Sequence, residues 1–158
     1  MNMKHLLWAA CLTSVVVPGA LRADTVRDQI LSDAEFFSTS GCQILRVGFN
    51  YPTRKVAHFP YERGDEIRIE LEALSVDAEG AVESRRRESL NPPLESEALV
   101  SGIAYEGNAV PRPYLRITLR RVSTFKVSQG GDFRSIVIAF PQPQGSGTCE
   151  PVFPQSLE

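Results

Sequence analysis

The 158-residue chain holds little of what most active sites and metal centres are built from: two histidines, three cysteines, two methionines and one tryptophan. His5 falls in an apolar N-terminal stretch that reads as a leader, so His58 alone remains in the body of the chain. One histidine excludes a multi-histidine metal site and leaves no spare general base. Cys42 and Cys149 could join it only without the close ligand spacing of a metal site, and no metal or cofactor is expected. A GxSxG nucleophile elbow, a phosphate-cradling P-loop and a GxGxxG dinucleotide turn are all missing. Acids are plentiful, 19 in all. Yet no two stand in visibly unequal surroundings, the condition that divides a carboxylate pair into proton donor and acceptor. The expectation is a protein with no catalytic residue, and a hydrolase built on connector acids such as Glu88 is the reading that measured turnover would have to establish.

Residues 1–23, MNMKHLLWAACLTSVVVPGALRA, combine one early cation (Lys4), an apolar run from Leu6 to Val17, the helix breaker Pro18-Gly19 and the small Ala23. This pattern predicts a signal peptide cleaved after Ala23, hence export from the cytoplasm. The apolar run is short for a membrane span, so no stable span is expected after cleavage; a retained anchor is the alternative. Lipidation at Cys11 is disfavoured by Trp8, which stands where a lipobox carries leucine. Losing Lys4 and Arg22 leaves 15 cations against 19 acids, a net charge of −4. Such a chain is a poor candidate for nucleic-acid binding, which needs a basic face to neutralise phosphates, and no nucleic-acid partner is expected. Cys11 departs with the leader, and the remaining pair, Cys42 and Cys149, is read as a disulfide in an oxidising compartment.

Residues 24–41 place Val26, Ile30, Ala34 and Phe37 near one helical face, with Asp24 or Thr25 able to cap, and read as a short helix or a tether. From Gln43 the period becomes two. Leu45, Val47 and Phe49 alternate with Arg46 and Gly48, and Ile67, Ile69 and Leu71 with Arg68 and Glu70. Leu115, Ile117 and Leu119 repeat the first pattern, and Ile136, Ile138 and Phe140 the second. Alternation of this kind marks half-buried antiparallel strands. The runs form two copies of one phrase, each carrying a Lys-Val pair (55–56, 126–127) and a Gly-Asp pair (64–65, 131–132). Glycine suits the positive φ of tight turns, and aspartate bonds to the nearby backbone. Each copy reads as strand, turn, strand, turn, strand, and about thirty residues cannot bury enough surface alone. Two copies packed face to face predict an all-β sandwich of two small antiparallel sheets over residues 42–140.

The 135–140 run has a weakly polar outward face, so it is central or covered. The connector 75–113 is charged and irregular, with Leu99, Ile103 and Tyr105 as an extra strand before Gly107-Asn108. Its Arg85-Arg86-Arg87 run reads first as a solvated loop. Residues 141–158 form a Pro/Gly-rich extended tail carrying Cys149.

The first copy holds an insertion: Val56 to Asp65 is nine steps, Val127 to Asp132 only five. The surplus contains His58, Phe59, Pro60 and Tyr61, followed by Glu62 and Arg63. Aromatics beside a cation on a loop can stack on sugar rings or anchor a peptide. Alternatively, Phe59 and Tyr61 fold back as a plug over the end of the sandwich. The candidate ligand-binding residues are His58, Phe59, Tyr61 and Arg63, joined by Arg85, Arg86 and Arg87, whose guanidinium forks fit carboxylates.

The segments LRVGFNYP, HFPYERGDEIRIEL, RRESL, YEGN, PYLRITL and FKVSQGGDFRSIVIAF, in this order over residues 42–140, resemble an AMIN-type domain. The likeness is greatest to the AMIN-like N-terminal region of proteobacterial periplasmic tetratricopeptide-repeat proteins. It implies a β-sandwich of two related small sheets, a periplasmic setting, and attachment to peptidoglycan or to a wall-associated complex. No amidase, secretin or helical repeat follows Phe140, so a stand-alone module is expected. A protein-interaction adaptor is the other reading, with an exposed sheet edge accepting a partner's strand and 135–140 as the candidate edge.

Overall fold

The alternating apolar runs each become a strand. The computed structural model describes residues 29–39, 41–74, 85–142 and 149–151. The leader, residues 24–28, the connector part 75–84 and most of the tail lie outside these described residues. The strands are β1 (Leu31–Ser38), β2 (Cys42–Phe49), β3 (Thr53–Phe59), β4 (Arg63–Ala73), β5 (Arg87–Leu90), β6 (Val100–Glu106), β7 (Tyr114–Thr124), β8 (Lys126–Gln129) and β9 (Ser135–Pro141). They form two packed antiparallel sheets, ordered β1-β2-β9-β8 and β3-β4-β7-β6-β5. The all-β sandwich is therefore as the period-two pattern predicts. Leu45, Val47, Ile67, Ile69, Leu115, Ile117, Ile136 and Ile138 share one buried core with Phe125.

The sheets are not one per copy of the repeat. β2, from the first copy, pairs with β9 of the second, bringing Leu45 opposite Ile138 and Val47 opposite Ile136. Reciprocally, β7 of the second copy pairs with β4 of the first, with Ile117 opposite Ile67 and Leu115 opposite Ile69. Each copy lays its first strand in one sheet and its other two in the opposite sheet. Neither sheet can form from one copy alone, so the duplication interlocks.

Segment 31–38 is a strand, which corrects the helix or tether expected there. Its pairing on β2 slips between Leu31 and Ala34: Leu31 faces Phe49 while Ala34 faces Val47. That bulge sets Leu31 and Ala34 on one side three residues apart, and Phe36 two further on, all packed against the core. The bulge breaks the strand period locally and leaves a helix-like spacing in the sequence. Arg87–Leu90, in the segment read as a solvated loop, pairs with β6 as a short edge strand. The extra strand read at Leu99, Ile103 and Tyr105 is β6, although Leu99 just precedes it.

Both lateral seams of the sandwich are laced by side chains. On one side, the Gln129 Oε1 accepts the backbone N–H of Lys55 at 2.6 Å, joining β8 to β3. On the other, the Glu88 carboxylate accepts the N–H groups of Ile30 and Leu31 at 2.9 Å, joining β5 to the start of β1. Glu88 thus serves to hold β1. Burial, together with the Glu88 charge, pushes the neighbouring Tyr105 hydroxyl up to about 12.

β9 lies between β2 and β8 and is no edge, which removes 135–140 as a strand-accepting border. Its outward residues Val137 and Ala139 are buried in a second apolar cluster with Ile44, Cys42 and Cys149. Cys42 and Cys149 are bonded, with Cα atoms 5.1 Å apart. The strap holding Cys149 is tied further where Ser128 Oγ donates to the Pro151 carbonyl at 2.9 Å and Lys126 pairs with Glu150 at 3.0 Å.

The two Gly-Asp pairs do different work. Gly64 lies within β4, and a Cβ there would stand 2.7 Å from Pro60 Cγ. Asp132 lies in the β8–β9 turn, where Oδ1 accepts the Arg134 N–H at 2.8 Å and the Ser135 hydroxyl at 2.9 Å. The positive φ of that turn belongs to Phe133, at 53°, and no described glycine has one. Burial alone would raise Asp132, but the bonds from Arg134 and Ser135 and the Arg46 guanidinium outweigh it and hold the carboxyl below its ordinary 3.8. A depressed carboxylate stabilises the fold fully above its unfolded value, and the contribution is lost as pH falls through the folded value. Asp132→Asn is expected to cost on the order of 1 kcal/mol at pH 7 and to flatten the fall in stability below about pH 4. Urea melts across pH 2–7 check this, and parallel wild-type and variant curves would refute it.

Candidate binding groove on an outer sheet face

Directly opposed residues in neighbouring strands project to the same side. In the five-stranded sheet, Ile67, Ile69, Leu115 and Ile117 point to the core, so the residues between them face out. One outward row runs Ala57, Glu70, Tyr114, Glu106 and Arg87; the next runs Phe59, Arg68, Arg116, Ala104 and Ser89. These rows assemble side chains from five separate strands.

At the β3–β4–β7 end of this face lies a groove of about 450 Å³, lined by Phe59, Tyr61, Arg68, Glu70, Arg112 and Tyr114 among others. Phe59 and Tyr61 are 69% and 75% exposed, so they do not plug the sandwich. The hairpin tip is organised by His58, whose Nε2 lies 3.0 Å from the Tyr61 carbonyl oxygen. Its ring meets that of Tyr61 edge-on, with centroids 5.8 Å apart. Arg68 stands over the Tyr114 ring at 5.8 Å and donates from Nε to Glu66 at 2.6 Å. That bond and the Glu66 charge raise the Arg68 pKa further, so the guanidinium is a fixed positive charge. The groove therefore offers aromatic faces for stacking, two guanidinium groups as donors and one carboxylate as acceptor.

Of the residues singled out in the sequence, His58, Phe59 and Tyr61 meet here. Arg63 does not: it follows the same hairpin but lines a different cleft. Arg85, Arg86 and Arg87 stand at or just before β5, the opposite border of the sheet, with β4, β7 and β6 between them and Phe59. Arg87 is engaged there with Glu106 at 3.3 Å, and Arg116 reaches the same carboxylate at 2.7 Å. Arg68, Glu70 and Tyr114 were missed, because a regular wet strand face reads as a solubility feature, and Arg112 because it lies in the irregular loop before β7. Their signal is positional: Arg68 is the residue opposite Phe59, and Tyr114 the residue opposite Glu70.

No protein-family model matches the chain, and no match was found among curated proteins or solved structures. Among the described residues, no helix is long and apolar enough to cross a membrane.

Proposed function

We propose that the protein is a periplasmic, non-catalytic binding module that attaches to peptidoglycan or to a wall-associated complex, using the groove as its contact surface. The observation that carries this reading is the exposure of Phe59 and Tyr61 beside Tyr114 and Arg68 on one open sheet face. Large aromatics are seldom left this bare unless something covers them, and they supply the anchors of most recognition surfaces. The apolar face of a sugar ring stacks on such rings, while Arg68 and Arg112 can donate to the ring hydroxyls or to carboxylates of the wall. The AMIN-type resemblance supports the same assignment, and the Cys42–Cys149 bond fits an oxidising compartment.

Sedimentation with purified wall sacculi tests the proposal. Tyr61→Ala combined with Tyr114→Ala is expected to raise the half-saturating sacculus concentration at least about tenfold, the effect of losing one or two aromatic anchors. A double variant that melts like wild type and pellets like wild type would overturn it. The adaptor reading by strand addition loses its candidate edge, since 135–140 is paired on both sides.

A further inference from the structure

Another cleft, of about 550 Å³, opens at one end of the sandwich where the two sheets part. One wall is the start of β4 and the end of β7, with Arg63, Arg121 and Thr124; the other is the start of β2 and the end of β9, with Gln43 and Gln142. Leu99 and Phe140, both buried, supply its apolar floor.

β7 is deformed where it meets this cleft. Between the pairs Gly64–Ser123 and Glu66–Thr118, β4 advances two residues while β7 advances five. The surplus carries Arg120, Arg121 and Val122 off the ladder, and all three are exposed. Bulges re-aim side chains, and they concentrate near functional sites. Arg120 is turned away: its Nε donates to the Glu97 carbonyl and its backbone N–H to that of Leu99. Arg121 lines the cleft together with Arg63, Gln43 and Gln142. Neither guanidinium has an ion-pair partner among the described residues, and no acid stands in the cleft's described lining. In a chain with more acids than bases, two uncompensated arginines on one cleft mark an anion site.

We propose that this cleft binds the terminal carboxylate of a short peptide with small apolar side chains. The arginines take the carboxylate, whose planar geometry matches their forks. The glutamines can both donate to and accept from a peptide bond, and Leu99 with Phe140 receives the side chain. Inorganic phosphate would use the arginines and the amide donors but leave the apolar floor idle. The cleft and the aromatic groove share no lining residue in the described structure, so the assignment stands independently of the sugar-stacking reading.

The test is titration of the full chain with N-acetyl-alanyl-alanine, with its C-terminal amide and with inorganic phosphate, followed by amide-proton NMR shifts. The free acid is expected to shift the Ser123 and Thr124 signals saturably. Arg63→Gln and Arg121→Gln should each weaken that binding about tenfold, and the amide should bind at least as poorly. Equal binding of acid and amide, equal binding by both arginine variants and wild type, or a response to phosphate without one to the acid would overturn the proposal. Tyr61→Ala with Tyr114→Ala should leave dipeptide binding unchanged. Loss of sacculus pelleting with intact dipeptide binding, or the reverse, then separates failure of one site from failure of the other.

Discussion

Replacing Cys42 and Cys149 together by alanine is expected to lower the unfolding free energy by up to about 4–5 kcal/mol while leaving the groove untouched. The bond closes a sequence separation of 107 residues. Cross-linking so long a loop removes conformational freedom from the unfolded chain, and native burial adds to the effect. Cys42 and Cys149 sit in the cluster that covers Ile44, Val137 and Ala139. Without the bond, the polar contacts left to the strap among the described residues are those of Ser128 and Lys126, and exposed ion pairs and single hydrogen bonds contribute about 1 kcal/mol or less each. Two readouts follow. Urea unfolding of the double variant, or of wild type with reductant, should shift its midpoint strongly. Binding of a hydrophobic dye below that midpoint should rise as the outer face of the four-stranded sheet is uncovered. A loss under about 1 kcal/mol with no gain in dye binding would show that the strap contributes little.

The strands were legible in the chain wherever the alternation ran unbroken. Ile67, Ile69, Leu115, Ile117, Ile136 and Ile138 are all fully inaccessible, as a half-buried strand requires. What alternation cannot state is which strand lies beside which. Every apolar row here is compatible with every other, so the exchange of β2 and β7 between sheets left no mark in either copy of the repeat. Bulges hid the rest. The slip between Leu31 and Ala34 imitates helical spacing, and the surplus in β7 converts Arg121 from an ordinary outward strand residue into a cleft wall. The candidate site was half legible for a related reason. His58, Phe59 and Tyr61 are adjacent in sequence and announce themselves as an insertion, whereas Arg68 and Tyr114 come together only through cross-strand pairing. The Arg85–Arg87 run had density of charge in its favour, but its place at the far border separates it from the aromatics.

The hairpin between β3 and β4 gains a meaning from this arrangement. Tyr61 at its tip lines the aromatic groove, and Arg63 at its return lines the end cleft. Phe125 donates its backbone N–H to the Glu62 carbonyl at 2.8 Å, so the hairpin is tied to the residue at which the second copy crosses between sheets. The aromatic groove and the end cleft thus share one junction, at the Glu62–Phe125 bond.

Phe125→Ala is accordingly expected to cost about 3–5 kcal/mol, because it removes a fully buried aromatic whose surroundings cannot collapse into the space. Phe125 heads the set of large, fully inaccessible side chains, and it joins β7 in one sheet to β8 in the other. Its neighbours are strands held on both sides by ladders, which resist the shift that would refill the cavity. Phe125→Leu keeps much of the volume and should cost markedly less, so the ratio of the two losses reports the cavity rather than the aromatic ring itself. The same substitution carries a functional signature. A cavity beneath the Glu62 contact should loosen the hairpin, so that at temperatures where the variant remains folded it pellets less with sacculi than wild type. Urea melts of both variants give the stability comparison, and sedimentation well below the melting temperature gives the other. If Phe125→Ala and Phe125→Leu lose equal stability, or if the folded alanine variant binds the wall undiminished, the junction does not couple the core to the groove as described.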